Sequence, residues 1–299
     1  MKRVLSICGG GIFGLMPAMW CEAIEAQTGK PCAEFFDFIA GTSTGAIIAA
    51  GLAAGIPAST IVSLYRDQGG AIFHGSFERK LTDLWGLSGP KYDAAPLESR
   101  LQQHFGNKTL KDATVPLLVP TTQCEPVGAY WFKSWAGPNI ELWKVCRATS
   151  AAPYYFPPAE IEFLDGSKAL CADGGMWANN PEDRAIAEAS ALFPGESISL
   201  VSMGTGCEPF SVPAKADWGA ADWAPSFIEM FMQLSEDAAV ARSLEAGTQR
   251  IWLDAEIGGD MDDASPENLA ALAKAAEGVI ASAPFSLLIN MLAPVKESV

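Results

Sequence analysis

Apolar runs alternate with glycine-rich breaks over the first part of the chain. Residues 4–8 form a short apolar run that predicts a buried strand, and residues 15–26 after the next glycine loop have helical spacing. The aromatic and β-branched residues 36–41 predict a second buried strand, and the alanine-rich residues 44–54 predict a tightly packed helix. This alternation predicts an α/β fold with a mainly parallel sheet covered on both faces.

The remaining pattern predicts further strands and helices around a loop-rich insertion. Residues 69–96 are rich in glycine, serine and proline, so we expect a loop that borders the functional site. The insertion contains the aromatic residues Phe73, Phe77, Trp85 and Tyr92. Residues 143–152 are expected to begin as a strand and become a short helix, and Asn180-Pro181 has the residue types of a helix start. The other predictions are strands at 115–122, 128–135, 169–173, 198–203 and 250–254, and helices at 58–68, 97–105, 220–246 and 266–281.

The composition indicates a large apolar core and an acidic surface. The 299 residues are 49% hydrophobic and 18% charged, and 20 basic against 35 acidic side chains give a net charge of −15. This charge argues against nucleic acid as a partner and against steady docking on anionic membranes, but leaves transient apolar contact with a membrane surface open. Because no linker divides the chain, we predict a single domain over residues 1–299, with a motif-bearing core at about 1–210 and a helical part at about 211–299.

The cysteines and the N-terminus bear on the compartment. The seven cysteines are scattered and show no CxxC or Cys/His spacing, so neither a disulfide framework nor a zinc site is predicted. Met1-Lys2-Arg3 and the apolar residues after it resemble the start of a signal peptide, but a glycine run interrupts them and no clean cleavage site follows. No stretch approaches the ~20 uninterrupted apolar residues of a membrane span. A reducing, cytoplasmic setting is the expectation.

The pattern Gly41-x-Ser43-x-Gly45 lies between the second predicted strand and its helix. A sharp strand-to-helix turn of this kind presents its serine at the apex, and the flanking glycines relieve crowding. The N-terminus of the helix favours the negative charge that develops when a serine attacks an ester. The alternative is a glycine-flanked turn in which Ser43 only caps the helix. The strand before it and the small-residue helix after it favour Ser43 as a nucleophile.

A serine nucleophile needs a base, and histidines are scarce. The chain has only His74 and His104, whereas an α/β-hydrolase triad would need a histidine late in the sequence. Both lie in or near polar, loop-rich sequence, where an exposed surface role is expected. Asp173 ends an apolar predicted strand and precedes Gly174 and Gly175, which makes it a candidate base at the crevice where such sheets bind ligands. The alternative is an ordinary Asp-Gly turn.

Gly9-Gly10-Gly11 joins the first predicted strand to the first helix, and its main-chain N–H groups could hold an oxyanion. The competing interpretation is a dinucleotide site, since Gly9-x-Gly11-x-x-Gly14 satisfies that pattern and Asp37 lies at a suitable distance for a ribose. Asp37 is followed by further strand-like residues, however, so it is expected within the strand and not at its end. A nicotinamide site would also leave the serine and the aspartate described above without roles.

Five segments within residues 4–206 resemble the patatin-like phospholipases in order and spacing. They are residues 9–14, residues 41–45, residues 148–157, Asp173-Gly174-Gly175 and Asn179-Asn180-Pro181. The resemblance implies a three-layer α/β/α sandwich that hydrolyses acyl esters of phospholipids or related lipids. It implies no metal or organic cofactor.

The same resemblance assigns roles to individual residues. Ser43 is the expected nucleophile and Asp173 the expected proton acceptor of a Ser–Asp dyad. The N–H groups of Gly9, Gly10 and Gly11 form the expected oxyanion hole. The glycines that support these motifs are Gly14, Gly41, Gly45, Gly174 and Gly175.

Phe13 departs from that family, which commonly has a basic residue just before the last glycine of the first motif. The backbone donors do not depend on this side chain, but the treatment of a head group or phosphate does. A weak or inactive scaffold that keeps the fold for interaction stays open beside the hydrolase, as does the less favoured oxidoreductase. Ser150 lacks an elbow and is expected to pack in the interior. An acyl-chain cleft or lid could draw on Trp177, Trp218, Trp223, Phe227 and Phe231, although most of these are expected in the core.

Overall fold

The computed structural model describes residues 1–72, 89–206 and 220–293. Within these ranges one mixed sheet forms the centre of the molecule, in the order β5-β6-β3-β2-β1-β7-β8, with β4 paired to β3. The strands are β1 (Lys2–Ile7), β2 (Phe38–Gly41), β3 (Leu117–Cys124), β4 (Val127–Lys133), β5 (Ala159–Glu162), β6 (Lys168–Asp173), β7 (Ile198–Met203) and β8 (Gln249–Leu253). All the predicted strands except the one at the start of residues 143–152 are present.

Helices connect these strands and cover the sheet. They are α1 (Leu15–Thr28), α2 (Thr44–Ala53), α3 (Ala58–Ile72), α4 (Ala95–Phe105), α5 (Leu142–Thr149), α6 (Gly175–Ala178), α7 (Glu182–Leu192), α8 (Ala220–Glu245), α9 (Pro266–Ile280) and α10 (Ala283–Leu292). A short 3-10 turn, Gly11–Gly14, joins the loop after β1 to α1.

The sheet is parallel at its centre and antiparallel on one side. β1, β2, β7 and β8 run parallel, and β3 continues this direction beside β2. β4, β5 and β6 each run against their neighbours, and β3–β4 is the strand pair predicted from residues 115–122 and 128–135. The parallel part arises because a helix crossover returns the chain in its original direction. The predicted α/β class is confirmed, with a mixed sheet.

β3 pairs with two strands, β2 and β6, along the same edge. Residues 117–118 pair with β2, whereas residues 121–123 pair with β6 further along, while β4 occupies the opposite edge. β6 runs against β3 and ends with Asp173 opposite Thr121, beyond the point where β2 ends. An antiparallel strand therefore delivers its last residue to the carboxyl edge of the parallel strands.

Side chains of β1 show how both faces of the sheet are covered. Leu5 and Ile7 belong to the larger buried cluster, which includes residues of α1, α2 and α9. Val4 packs instead with Ala185 and Ala189 of α7 on the other face. Since successive side chains of a strand point to opposite faces, one buried strand supplies both layers. The result is the three-layer α/β/α arrangement.

Two predictions near the helices need correction. Residues 143–152 do not begin as a strand, because Leu142, Val145 and Thr149 recur at helical spacing and are all buried along α5. A separate helix, α10, follows α9 and was not predicted. It restarts because the hydroxyl of Ser282 accepts the N–H of Phe285 at 3.4 Å and so caps a new helix.

The segment that resembles a signal peptide lies in the centre of the fold as β1 and α1. Among the described residues, no single helix is long and apolar enough to cross a membrane. α9 and α10 satisfy the length and composition criteria only as a pair, and this pair is bent by 63°.

Part of the predicted insertion lies outside the described residues. Residues 69–72 complete α3, and Tyr92 is buried after the gap. Five residues named in the sequence analysis lie outside the described residues, as does one of the seven cysteines, Cys207. The five are Phe73, His74, Phe77, Trp85 and Trp218.

Candidate active site

Ser43 occupies the turn between β2 and α2. Its φ is +51° and its ψ is −121°, a backbone conformation that residues with a Cβ rarely adopt. The surroundings hold it there, since the N–H of Ser43 donates to the Thr149 hydroxyl at 3.0 Å and the N–H of Thr42 donates to the Ile7 carbonyl at 3.1 Å. The predicted elbow is present, with the strained serine at its apex.

Gly41 and Gly45 permit the close approach on which this turn depends. A Cβ on Gly45 would overlap the carbonyl oxygens of Ile7 and Cys8, and a Cβ on Gly41 would overlap the Gly45 carbonyl. Backbone atoms cannot move aside as a flexible side chain can, so β1, β2 and α2 reach this spacing only with glycine at both positions.

Asp173 ends β6 and shares one cavity wall with Ser43. Only 5% of its surface is exposed, and its Oδ1 accepts the N–H of Gly175 at 2.6 Å. Burial raises the pKa of Asp173 from 3.8 to about 7, and the Gly175 N–H and the Ser43 hydroxyl offset part of that rise by stabilising the carboxylate. No described basic side chain pairs with it. The carboxyl group is therefore half ionised near neutral pH beside a serine hydroxyl.

The glycine loop after β1 faces the same cavity through Gly10 and Gly11. The N–H of Gly9 donates to the carbonyl of Asn179 at 3.1 Å and is therefore occupied. The N–H groups of Gly10 and Gly11 have no backbone acceptor among the described residues. Two of the three predicted oxyanion donors are thus free to bind a substrate oxygen.

The other motif glycines also lie at close backbone contacts. A Cβ on Gly14 would overlap the Thr44 hydroxyl, and a Cβ on Gly174 would overlap the Pro120 carbonyl. Gly175 is less tight, since its Cβ would lie 3.1 Å from both Asn179 Oδ1 and Asp173 Oδ1. The supporting glycines thus keep the loop, the elbow and β6 close together.

Asp37 lies just before β2 and not within it, which corrects the sequence-based placement. Its carboxylate accepts from Lys2 Nζ at 2.8 Å and from the Arg3 N–H at 2.9 Å. In the parallel pair, Val4 is opposite Phe38 while Ile7 is opposite Gly41, so Asp37 and the glycine loop lie at opposite ends of these strands. A dinucleotide would need its ribose acid at the same end as the loop, so this placement disfavours the oxidoreductase.

The cavity over Ser43 has a volume of about 730 Å³, open solvent at its mouth included. Its wall is largely apolar and includes Ile12, Ile47, Leu64, Ile72, Leu97 and Phe156. At one side Asp262 accepts hydrogen bonds from Lys91 Nζ and, at 2.5 Å, from the Tyr92 hydroxyl. These contacts tie the segment around residue 91 to the loop after β8.

Several residues of the site have no recognisable sequence signal. Thr149 binds the Ser43 N–H, and Thr205 donates its hydroxyl to the Gly9 carbonyl at 2.7 Å. Met232 of α8 and Met261 line the cavity, and the Met261 carbonyl accepts the Ile12 N–H at 2.8 Å. Only Thr149 falls in a segment that the family resemblance had singled out.

Asn180 is held by a buried polar network below the sheet. Its Oδ1 accepts from the Ser6 hydroxyl at 2.9 Å and its Nδ2 donates to Glu182 at 2.8 Å. Glu182 is fully buried and also pairs with Arg250 at 3.1 Å. Asn180 Oδ1 also accepts the N–H of Glu182. Helix α7 begins at Glu182, so Pro181 is the residue before the helix and not, as predicted, its first residue. This network fixes the corner from which Asn179 reaches Gly9.

The structure corrects the expectation for His104 and agrees with the interior position expected for Ser150. His104 lies on helix α4, is half-buried and lines a small cavity, so the expected exposed surface role is wrong. Burial, followed by the nearby Arg100, lowers its pKa. Ser150 is buried but borders the Ser43 cavity, and its hydroxyl has no hydrogen-bond partner among the described residues.

Of the aromatic residues proposed for a cleft or lid, the four that the structure describes do not line the cavity over Ser43. Trp177 packs edge-on against Trp131, and its indole N–H donates to Thr122 at 3.1 Å. Trp223, Phe227 and Phe231 stack in a row along α8, with Phe227 and Phe231 exposed to solvent. α8 presents Met232 to the cavity instead.

Comparisons with known proteins show which proteins this chain is similar to. A family model described as patatin-like phospholipase matches residues 5–186. The chain is 34% identical over 206 residues to a cGAMP-activated phospholipase of Pseudomonas aeruginosa, which covers 67% of this chain and 60% of that protein. It is 31% identical over 337 residues to patatin-like protein 2 of Arabidopsis thaliana, covering 94% of this chain and 83% of that protein.

A third relative, the probable inactive patatin-like protein 9 of Arabidopsis thaliana, is 33% identical over 233 residues, which covers 68% of this chain and 60% of that protein. The chain thus spans less than two thirds of two of these three relatives. The matched family region contains the glycine loop, the serine elbow and Asp173. The chain belongs to the patatin-like phospholipase family.

Proposed function

We propose that this protein is a serine lipid acyl hydrolase in which Ser43 attacks the ester and Asp173 is its base. The observation that carries the proposal is the placement of both side chains in one cavity wall, where the serine hydroxyl stabilises the aspartate carboxylate. A base that is half ionised near neutral pH is matched to proton transfer under those conditions. Membership of a phospholipase family makes a lipid the expected substrate class.

Acylation begins when Ser43 Oγ forms a bond to the ester carbonyl carbon and its proton passes to Asp173. The carbonyl oxygen becomes an oxyanion that the N–H groups of Gly10 and Gly11 stabilise by hydrogen bonds. When this intermediate collapses, the bond to the alcohol oxygen breaks and the alcohol takes the proton from Asp173. The product of this half-reaction is an acyl-serine.

Deacylation repeats the sequence with water as the nucleophile. The water oxygen bonds to the acyl carbon while Asp173 accepts a proton from the water. The N–H groups of Gly10 and Gly11 stabilise the second oxyanion as they did the first. The Ser43 oxygen then leaves with the proton that Asp173 returns. The apolar wall of the cavity provides the environment that an acyl chain requires, because it removes hydrocarbon from water.

The test is ester hydrolysis and labelling by a fluorophosphonate probe, which reacts with activated serines. Ser43→Ala should lose labelling, and both Ser43→Ala and Asp173→Asn should lose nearly all turnover with unchanged circular dichroism. Ser150→Ala is the matched control, because it removes another serine hydroxyl from the wall of the same cavity and should retain labelling. Near-normal turnover by either dyad variant would overturn the assignment, and an unlabelled wild-type protein would favour the inactive scaffold.

A further inference from the structure

The loop after β8 packs directly against the glycine loop. The Met261 carbonyl accepts the N–H of Ile12 at 2.8 Å. A Cβ on Gly11 would overlap the same carbonyl oxygen, so the two backbones are in close contact. Gly10 and Gly11 supply the proposed oxyanion donors, and the position of the Met261 carbonyl therefore constrains the direction of their N–H groups.

Asp262, the residue after Met261, is buried and bound to a different segment of the chain. Only 8% of its surface is exposed, and its Oδ2 accepts from Lys91 Nζ and, at 2.5 Å, from the Tyr92 hydroxyl. Burial first, and then the hydrogen bond to Asp262, raise the pKa of Tyr92, so its hydroxyl stays protonated as a donor. Hydrogen bonds to a charged carboxylate are stronger than neutral ones, and they hold Asp262 in place.

Residues 91 and 92 are in turn attached to the segment after α5. The N–H of Lys91 donates to the Tyr154 carbonyl and the N–H of Tyr92 donates to the Tyr155 carbonyl, both at 2.8 Å. Tyr154 has a φ of +72°, which residues with a Cβ rarely adopt, so its carbonyl is held in a strained backbone. The ring centroids of Tyr92 and Phe156 lie 5.7 Å apart. Asp262 is thus joined to a part of the cavity wall that is separate from the glycine loop.

The end of α5 and the residues after it hold both members of the proposed dyad. The Thr149 hydroxyl accepts the N–H of Ser43 at 3.0 Å, and the Ala151 carbonyl accepts the N–H of Asp173 at 3.0 Å. The contacts described above continue from this segment to the loop after β8, and from that loop to the glycines. Asp262 therefore joins the part of the wall that holds the dyad to the loop that holds the oxyanion donors.

We propose that Asp262 is a positioning residue that fixes the glycine loop relative to the dyad, so that the N–H groups of Gly10 and Gly11 point at the oxyanion formed when Ser43 attacks. The proposal rests on the proposed function. Asp262 acts through the Met261 carbonyl and not on the reacting atoms. Donors that are already aimed at the developing charge need no rearrangement during the reaction. Loosening them should slow the chemical step more than it weakens substrate binding.

Hydrolysis of the uncharged ester 3,3-dimethylbutyl hexanoate tests the effect on catalysis. For Asp262→Ala we expect kcat to fall by about 10- to 100-fold and KM to change by less than about threefold, because a misaligned donor costs less than the roughly 10²–10³ of a missing one. Asp262→Asn can still accept from Tyr92 and should lose less. Turnover is divided by the number of serines that a fluorophosphonate labels at completion, which removes the contribution of unfolded protein.

Asp263→Ala is the matched control, because it removes the same charge from the same loop. Asp263 is exposed, and its carboxylate accepts the N–H of Ser265 two residues later instead of reaching another segment. Its kcat and KM should stay close to the wild-type values. A loss as large as that of Asp262→Ala would overturn the specific role of Asp262.

Tyr92→Phe tests the connection itself, since it removes the hydroxyl and keeps the ring. It should lower kcat in the wild-type background and have no further effect on Asp262→Ala, because the acceptor is already absent there. Additive losses would show that the two residues act independently and would overturn the proposed connection.

Amide exchange at Ile12 separates the position of the glycine loop from catalysis. This N–H is bound to the Met261 carbonyl and its residue is fully buried. In the Ser43→Ala protein, Asp262→Ala should accelerate its exchange about tenfold, while the amides of β7 keep their rates. Unchanged exchange at Ile12, or unchanged kcat for Asp262→Ala, would overturn the proposal. If the wild type hydrolysed no ester but Asp262→Ala still released Ile12, the proposed hydrolase would fail and the hold of Asp262 on the loop would stand.

Discussion

Asp173 is paired with Thr121 across the antiparallel strands β6 and β3, and this register places its carboxylate in the same cavity wall as Ser43. β2 pairs with the same edge of β3 a few residues earlier and ends at Gly41, two residues before the serine. The two members of the proposed dyad thus approach from strands that run in opposite directions. Any shift in the pairing of β3 with β6 would separate them.

Gly174→Ala should disturb this relationship directly. A Cβ at position 174 would overlap the carbonyl of Pro120 on β3, and neither backbone segment can move without shifting Asp173. We expect the variant to lose about 1–3 kcal/mol of unfolding free energy and most of its ester hydrolysis. Urea unfolding and turnover measure the two effects. Gly128→Ala on β4 is the control, because its Cβ would meet open space, and a Gly174→Ala protein as stable and active as that control would contradict the proposed contact.

The hydrolysis of a neutral ester should depend on the ionisation of Asp173. The base must be ionised to accept the serine proton, and burial raises its pKa to about 7. We therefore expect kcat/KM to be constant above that pH and to fall by about tenfold per pH unit well below it. A pH–rate profile with 3,3-dimethylbutyl hexanoate measures this without titration of the substrate. A profile that stays flat to about pH 5 would exclude a base with this raised pKa.

Asp173→Asn should stabilise the fold, but only at higher pH. Because folding raises the pKa of this group from 3.8 to about 7, its contribution to stability is fully present below about pH 4 and is lost as the pH rises through about 7. Asparagine cannot ionise, so the variant should gain up to about 4 kcal/mol over the wild type above neutral pH and nothing in acid. Denaturant unfolding at both pH values provides the comparison. An equal difference at both would show that ionisation of Asp173 is not its cause.

Glu182→Ala should be among the most destabilising single changes. The carboxylate is fully buried, pairs with Arg250 and accepts from Asn180 and Ser243, so its loss leaves the Arg250 guanidinium without its ion-pair partner. Breaking a buried pair in this way typically costs about 3–5 kcal/mol. Glu277→Ala at an exposed position of α9 should change stability by less than about 0.5 kcal/mol. Thermal unfolding of the two variants distinguishes the buried network from a general loss of charge.

Much of the fold could be predicted because its elements carry strong local patterns. The apolar run before Gly9 and the alanine-rich helix after Ser43 are buried almost throughout, so periodicity and length identified them. The strand predicted at the start of residues 143–152 is wrong because a short amphipathic helix and a strand have similar apolar spacing over so few residues. The helix α10 was missed because a serine cap near the end of α9 resembles the end of one helix more than the start of another.

The individual chemical groups of the candidate site were also recognisable from the sequence. The serine between two glycines after β2 is a local pattern, and so is the glycine loop after β1. The scarcity of histidine favoured Asp173 as the base. Their partners were not recognisable. Thr205 and Met232 lie far along the chain and belong to no local motif, and only packing brings them to the glycine loop and the cavity.

By itself the sequence determined the local backbone geometry, because only glycine allows the close approaches around Ser43 and the loop after β1. Tertiary structure alone decided which groups those turns bring together. The register of β6 on β3 set the position of Asp173, and burial raised its pKa to about 7. The Asn179 carbonyl accepts the N–H of Gly9, whereas the N–H groups of Gly10 and Gly11 have no backbone acceptor within the described ranges. These properties depend on contacts between segments distant in sequence, and no local pattern encodes the desolvation or the competing hydrogen bond that produces them.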